Sequence, residues 1–212
     1  MSALQNELAQ ELFDAQNKRL AVSPLITRHP DLTIDDAYQI SLKTLALRTQ
    51  AGEKVIGKKI GVTSEAVQKM LNVHQPDFGF LTNTMHHANG STISLKASNL
   101  IQPRAEGEIA FVLKEDLMGP GVTTADVLRA TKFVMPCFEI VDSRIDKWKI
   151  KIQDTVADNA SCGYIVFGGQ SVDPRDVDLT TCGITLERNG ELLHTGAGAA
   201  ALGSPVNAVV WL

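Results

Sequence analysis

The chain has 212 residues, 20 basic and 24 acidic side chains, a formal charge of -4 and 44 % hydrophobic residues. That composition is globular and excludes a disordered or fibrous chain. The acidic balance lacks the basic stripe expected of a nucleic-acid or anionic-membrane binder. A chain of this size buries an adequate core without disulfide staples. Cys137, Cys162 and Cys182 form no CxxC pair and read as free thiols of a reducing compartment. The opening MSALQNELAQELF carries acids and no apolar signal-peptide core, and no apolar run approaches the ~20 residues of a membrane span. These features imply a soluble, cytoplasmic protein.

Leu4, Leu8, Leu12 and Phe13 recur at helical spacing over residues 2–20, with Ser2 and Gln5 offset as in a capping box. Pro24 and Pro30 interrupt a connector. A second helix starts at Thr33, has Asp35 and Asp36 in its first turn, turns Ala37, Ile40 and Leu47 inward and ends before Gly52. Residues 1–52 therefore read as a small helical region and 53–212 as the main domain. From Lys54 the pattern changes to short β-branched runs: KVIGKKIGVT, GEIAFVLK, FVMPCFEIVDS and YIVFGG. Helices over 64–71 and 124–133 interrupt them. Asn189-Gly190, inside CGITLERNGELLHTG, is the preferred type I′ hairpin turn. Ser204-Pro205 starts a last helix, VNAVVWL, which stops at Leu212 with neither glycine nor a polar last turn. That ending reads as a chain cut short.

Glu106-Gly107-Glu108 opens the apolar run from Ile109 to Leu113. Residues two apart on a strand face the same way, so both carboxylates project together. Taken alone, the pattern more often marks a solvated strand end with two surface acids. Glu139 is a third carboxylate, embedded in VMPCFEIV, where an acid is a liability without a positive partner. Three carboxylates without histidine or cysteine suit a hard divalent ion such as Mg²⁺ or Mn²⁺.

Lys59 stands between Gly57 and Gly61 on one face of its strand, and the missing side chains leave a hollow for a ligand or mark a bulge. His74-Gln75-Pro76-Asp77-Phe78-Gly79 reads as a turn-rich loop that either holds Asp77 at a site or, as polar residues beside proline usually do, only forms the turn. The polar stretch from Asp154 to Ser161, which includes Asn159, suits an active-site loop or a capped turn. His86, His87 and His194 lack partners at metal-ligand spacing and read as surface residues. No GxSxG, Walker A or GxGxxG motif is present.

Four segments together resemble one family. KVIGKKIGVTSEAVQKMLNVHQPDFGFL, IQPRAEGEIAFVL, CFEIVDSRI with WKIKIQDTVADNASCG, and GAGAAALGSPVNAVVWL are similar to the 2-oxopent-4-enoate (2-hydroxypenta-2,4-dienoate) hydratases. These belong to the fumarylacetoacetate-hydrolase-like superfamily and act in meta-cleavage degradation of catechols. The resemblance implies an α+β fold, with a mixed rolled β-sheet after the small helical region and further strands beyond Leu212. It implies Glu106, Glu108 and Glu139 as ligands of Mg²⁺ or Mn²⁺, and a 2-oxo or 2-hydroxy dienoic acid as substrate. It further implies a homo-oligomer and a complex with 4-oxalocrotonate decarboxylase.

In the hydration so implied, Lys59 and Asp77 are the acid–base candidates, and Ser161 and Asn159 hydrogen-bond the substrate carboxylate or a metal-bound water. The related rival is 4-oxalocrotonate decarboxylation, for which Arg104 or Arg144 could anchor the distal carboxylate. A rival from another class is a non-catalytic partner subunit; the retained polar set argues against it.

Overall fold

The computed structural model describes residues 2–212. Its elements begin with α1 (Ala3–Lys18), α2 (Leu25–Arg28), α3 (Ile34–Gln50), β1 (Val55–Gly61) and α4 (Glu65–Leu71). They continue with β2 (Asp77–Thr82), β3 (His86–His87), β4 (Arg104–Leu113), α5 (Thr124–Ala130) and β5 (Thr131–Val141). The remainder are α6 (Ile152–Ala157), β6 (Cys162–Phe167), β7 (Gly183–Arg188), β8 (Glu191–Ala197) and α7 (Pro205–Trp211). The sheets pair β1 with β2, pair β7 with β8, and order four strands as β3-β6-β5-β4. No helix among the described residues is long and apolar enough to cross a membrane. The chain divides into two compact units. One holds the chain up to Gly61, Asp77–Ala105 and Glu139–Ile165; the other holds Val62–Pro76, Glu106–Phe138 and Val166–Leu212.

In the first unit, Ser2 caps α1 and exchanges the expected capping-box bonds with Gln5. Thr33 caps α3, with Asp36 returning a bond to the Thr33 amide. The buried stripe of α3 differs from the apolar expectation: Ala37 and Ile40 are buried, but Leu47 is half-buried and Arg48 takes the inward place. The guanidinium can be buried because it donates to Gln16 Oε1 at 2.6 Å and lies 3.9 Å from Glu53.

Asp77 opens a strand and does not sit in a loop. Its segment pairs antiparallel with β1, placing Gly61 opposite Asp77 and Lys59 opposite Gly79. Phe78 stacks on Tyr38 at 4.7 Å, a contact that only tertiary structure supplies. His87, expected on the surface, is half-buried with its ring 4.4 Å from that of Tyr164.

The polar stretch after Trp148 becomes α6 and a buried turn. Asp154 Oδ1 accepts the Leu25 and Ile26 amides, and Oδ2 accepts the Lys151 amide that starts α6.

The second unit has its own core of Val127, Val134, Leu179 and Val206, joined by Ile109 and Phe111. Helix α5 stops at Ala130, earlier than the periodicity suggests, because β-branched Thr131 begins β5 while its hydroxyl bonds the Val127 carbonyl at 2.7 Å. The β7–β8 turn has Asn189 at φ 55° and Gly190 at φ 81°, both positive as type I′ requires. Pro205 occupies the first turn of α7.

Asp154→Ala would leave three backbone donors without their carboxylate. We expect it to lower unfolding stability by about 2–4 kcal/mol. A urea midpoint equal to that of the parent protein would contradict this role.

Candidate active site

Adjacent lysines on β1 have opposite fates because a strand alternates its faces. Lys58 is exposed, its ammonium 5.2 Å from the Phe78 ring centroid and 5.9 Å from that of Phe80. Lys59 points inward, 3.4 Å from Glu139 Oε1, with the two side chains 10 % and 5 % exposed. Its ammonium also donates to the Ala160 carbonyl at 3.0 Å. The embedded acid thus has an ammonium partner from another strand. Removing either charge would leave the other in a poorly solvated place.

The hollow beside Lys59 is filled by protein, not left open. A Cβ on Gly61 would fall against Asp77 Oδ1 and 3.0 Å from Lys59 Nζ, and one on Gly57 would meet Leu81 at 3.7 Å. Asp77 is 2 % exposed, and its Oδ1 has no hydrogen-bond partner among the described residues. Burial raises its pKa above the ordinary carboxylate range, with the Lys59 charge acting the other way.

Sequence reasoning missed two neighbours. Burial and the Asp77 charge push the Tyr38 phenol up to about 12, so it stays protonated. Burial and the Glu139 charge push the Cys162 thiol well above its ordinary value. No local motif marks either residue; both arrive by packing.

Asn159 and Ser161 lie on the turn that precedes β6. The Asn159 amide accepts the Phe80 N–H at 2.7 Å and donates to the Phe80 carbonyl at 2.9 Å. The Ser161 hydroxyl is buried, 3.1 Å from that of Thr155. Behind the turn, Arg144 makes an ion pair with Asp158 and donates to the Cys162 carbonyl at 2.9 Å. Burial pushes Asp158 up to about 6, with Arg144 opposing. Arg144 is 3 % exposed and so committed to these partners, whereas Arg104 is exposed, its guanidinium 4.4 Å from the Trp148 ring centroid.

Glu106 and Glu108 belong to the second unit and are both exposed on β4. A Cβ on the intervening Gly107 would meet Ile184 at 3.1 Å, so the glycine covers the packed face and the carboxylates share the other. Two exposed carboxylates on one side of a strand have the donor chemistry of a hard divalent cation. Among the described residues, no group of three or more His, Cys, Asp or Glu side chains is assembled to hold a metal.

A family model described as fumarylacetoacetate (FAA) hydrolase C-terminal matches residues 46–212. The chain belongs to the fumarylacetoacetate hydrolase family. Its mixed helices and sheets are that family's fold. It is 66 % identical to a 2-hydroxypent-2,4-dienoate hydratase of Pseudomonas putida, over 98 % of this chain and 93 % of the relative. It is 60 % identical to a 2-hydroxyhexa-2,4-dienoate hydratase of Comamonas testosteroni, over 96 % and 77 %. These relatives bear out the resemblance to the hydratase branch. Among solved structures, 4-oxalocrotonate decarboxylase from Pseudomonas putida G7, complexed with magnesium and adipate, superposes with a TM-score of 0.93. The identity there is 32 %, over 99 % of this chain and 80 % of that one. The same decarboxylase complexed with calcium and acetate gives 0.91.

Gly61→Ala would force a methyl group against Asp77 and Lys59. We expect about 1–3 kcal/mol of destabilisation, read as a lower urea midpoint. A variant as stable as the parent would show that the two side chains are not held against Gly61.

Proposed function

We propose that the protein is a hydro-lyase that adds water to 2-hydroxypenta-2,4-dienoate, giving 4-hydroxy-2-oxopentanoate. The observation that carries this reading is the buried Lys59–Glu139 pair with Asp77 beside it, in a chain 66 % identical to a relative named as such a hydratase. The net chemistry moves the enol proton to C5, then places the water oxygen on C4 and a proton on C3. Negative charge collects on the 2-oxygen during both stages. A fixed ammonium such as that of Lys59 stabilises this charge in a water-poor site. Asp77, as a carboxylate, accepts a proton from the attacking water, and Ser161 hydrogen-bonds the substrate carboxylate.

Glu106, Glu108 and Glu139 are the residues we propose to hold Mg²⁺ or Mn²⁺. Their all-oxygen donor set supports this, as does the magnesium complex of the related decarboxylase. When bound, such an ion supplies Lewis-acid stabilisation of charge on the substrate's oxygens. By the same family resemblance, we propose a cytoplasmic homo-oligomer with a rolled sheet, acting in catechol meta-cleavage beside 4-oxalocrotonate decarboxylase. Decarboxylation by this chain itself is less well supported: Arg144 is committed to Asp158, leaving only Arg104, exposed against Trp148, of the two anchors.

The direct test follows ultraviolet loss of 2-hydroxypenta-2,4-dienoate with Mg²⁺ and with chelator, and weighs the product. Metal-dependent gain of one water is expected. Inertness toward the dienoate, with CO₂ released from 4-oxalocrotonate, would transfer the protein to the decarboxylases. Glu108→Gln should lose metal binding and at least 100-fold in turnover while remaining folded; wild-type turnover in that variant would refute the ligand assignment.

Because Asp77 must be ionised to act as a base, and its pKa is raised, kcat/KM should climb with pH along a limb above the ordinary carboxylate range. Asp77→Asn should abolish that limb. An unchanged limb would remove Asp77 from the role.

A further inference from the structure

Asn159, Ala160 and Ser161 have φ of 56°, 51° and 53°. Three consecutive non-glycine residues in the left-handed region are strained, because each Cβ crowds its own backbone. Such a turn persists only where its surroundings over-determine it. Here the surroundings do. Asp158, just before it, is tied by the Arg144 guanidinium and by the Arg144 N–H at 2.8 Å. The Ser161 carbonyl accepts the Asp142 N–H at 2.8 Å. The Asn159 amide closes a two-bond clamp on the Phe80 backbone of β2, at 2.7 and 2.9 Å. The clamp also needs Gly79: a Cβ there would strike the Asn159 carbonyl.

What the turn presents is the Ala160 carbonyl, which accepts from Lys59 Nζ at 3.0 Å. The Asn159 amide commits its oxygen and one of its two N–H donors to the Phe80 backbone. We propose that Asn159 is a positioning residue: it locks the 159–161 turn onto β2, so that the Ala160 carbonyl fixes the Lys59 ammonium beside Glu139. This rests on the reading of Lys59 as part of the catalytic machinery. It replaces the expectation that Asn159 binds substrate.

The test is a cycle of Asn159→Gly and Lys59→Met in the full chain loaded with Mg²⁺, assayed with 2-hydroxypenta-2,4-dienoate. Glycine keeps the left-handed backbone accessible and removes only the clamp. Asn159→Gly should lower kcat at least 10-fold, keep KM within twofold and speed hydrogen exchange of the Phe80 amide. In the Lys59→Met background it should change kcat less than twofold, because there is no ammonium left to place. Should Asn159→Gly fail to fold, Gly79→Ala, which pushes on the same turn, should give the same kcat loss and the same dependence on Lys59. A 10-fold rise in KM with kcat retained, or losses that multiply in the double variant, would overturn the proposal. Wild-type turnover in Lys59→Met alone would instead overturn the reading of Lys59 on which it rests.

Discussion

A buried ammonium and a buried carboxylate must neutralise one another, and the first unit is arranged around that requirement. Lys59 reaches Glu139 from β1, and the position is available only because the strand alternates and Gly61 carries no side chain. Asp77, opposite Gly61 in the register, adds a second carboxylate to the same small volume. One ammonium beside two carboxylates is an electrostatically crowded arrangement. Burial is what raises the Asp77 carboxyl, against the Lys59 charge, and burial followed by the Glu139 charge raises the Cys162 thiol.

Other buried acids of this unit serve the backbone. Asp142 accepts the Ile101 and Gln102 amides, Asp154 collects three amides, and Asp158 binds the Arg144 side chain and N–H together. Each uses charge-assisted bonds to hold irregular backbone that neither helix nor ladder would hold. Asp77 differs from them because its Oδ1 has no such bond among the described residues. That difference supports the proposed role of Asp77 as the proton acceptor.

Local signals were legible and distant ones were not. Ser2 with Gln5 and Asn189-Gly190 encode a cap and a turn within a few residues, and both form as expected; Thr33 starts α3 as expected and caps it together with Asp36. Asp77 was singled out as a candidate, but its place on a strand was hidden because His-Gln-Pro-Asp is turn-forming chemistry, while the strand is created by pairing with β1. The inward Arg48 was hidden because its partners, Gln16 and Glu53, lie outside the helix. Asn159 enters the left-handed region readily, but nothing in Ala160-Ser161 announces that the turn continues there, since glycine is absent. Glu139 was conspicuous as an acid in an apolar run, but its pairing with Lys59 is a non-local fact. Glu106 and Glu108 gained meaning from the family resemblance, because the carboxylate pair by itself more often marks a solvated strand end.

Whether Lys59 and Glu139 act as one chemical unit is tested most directly by a double-mutant cycle on kcat for dienoate hydration, using Lys59→Met and Glu139→Gln. For a single unit, either substitution removes most of the activity and the double variant is little worse than the poorer single one. If the two losses multiply, the groups act independently and the pair is not the centre of the site.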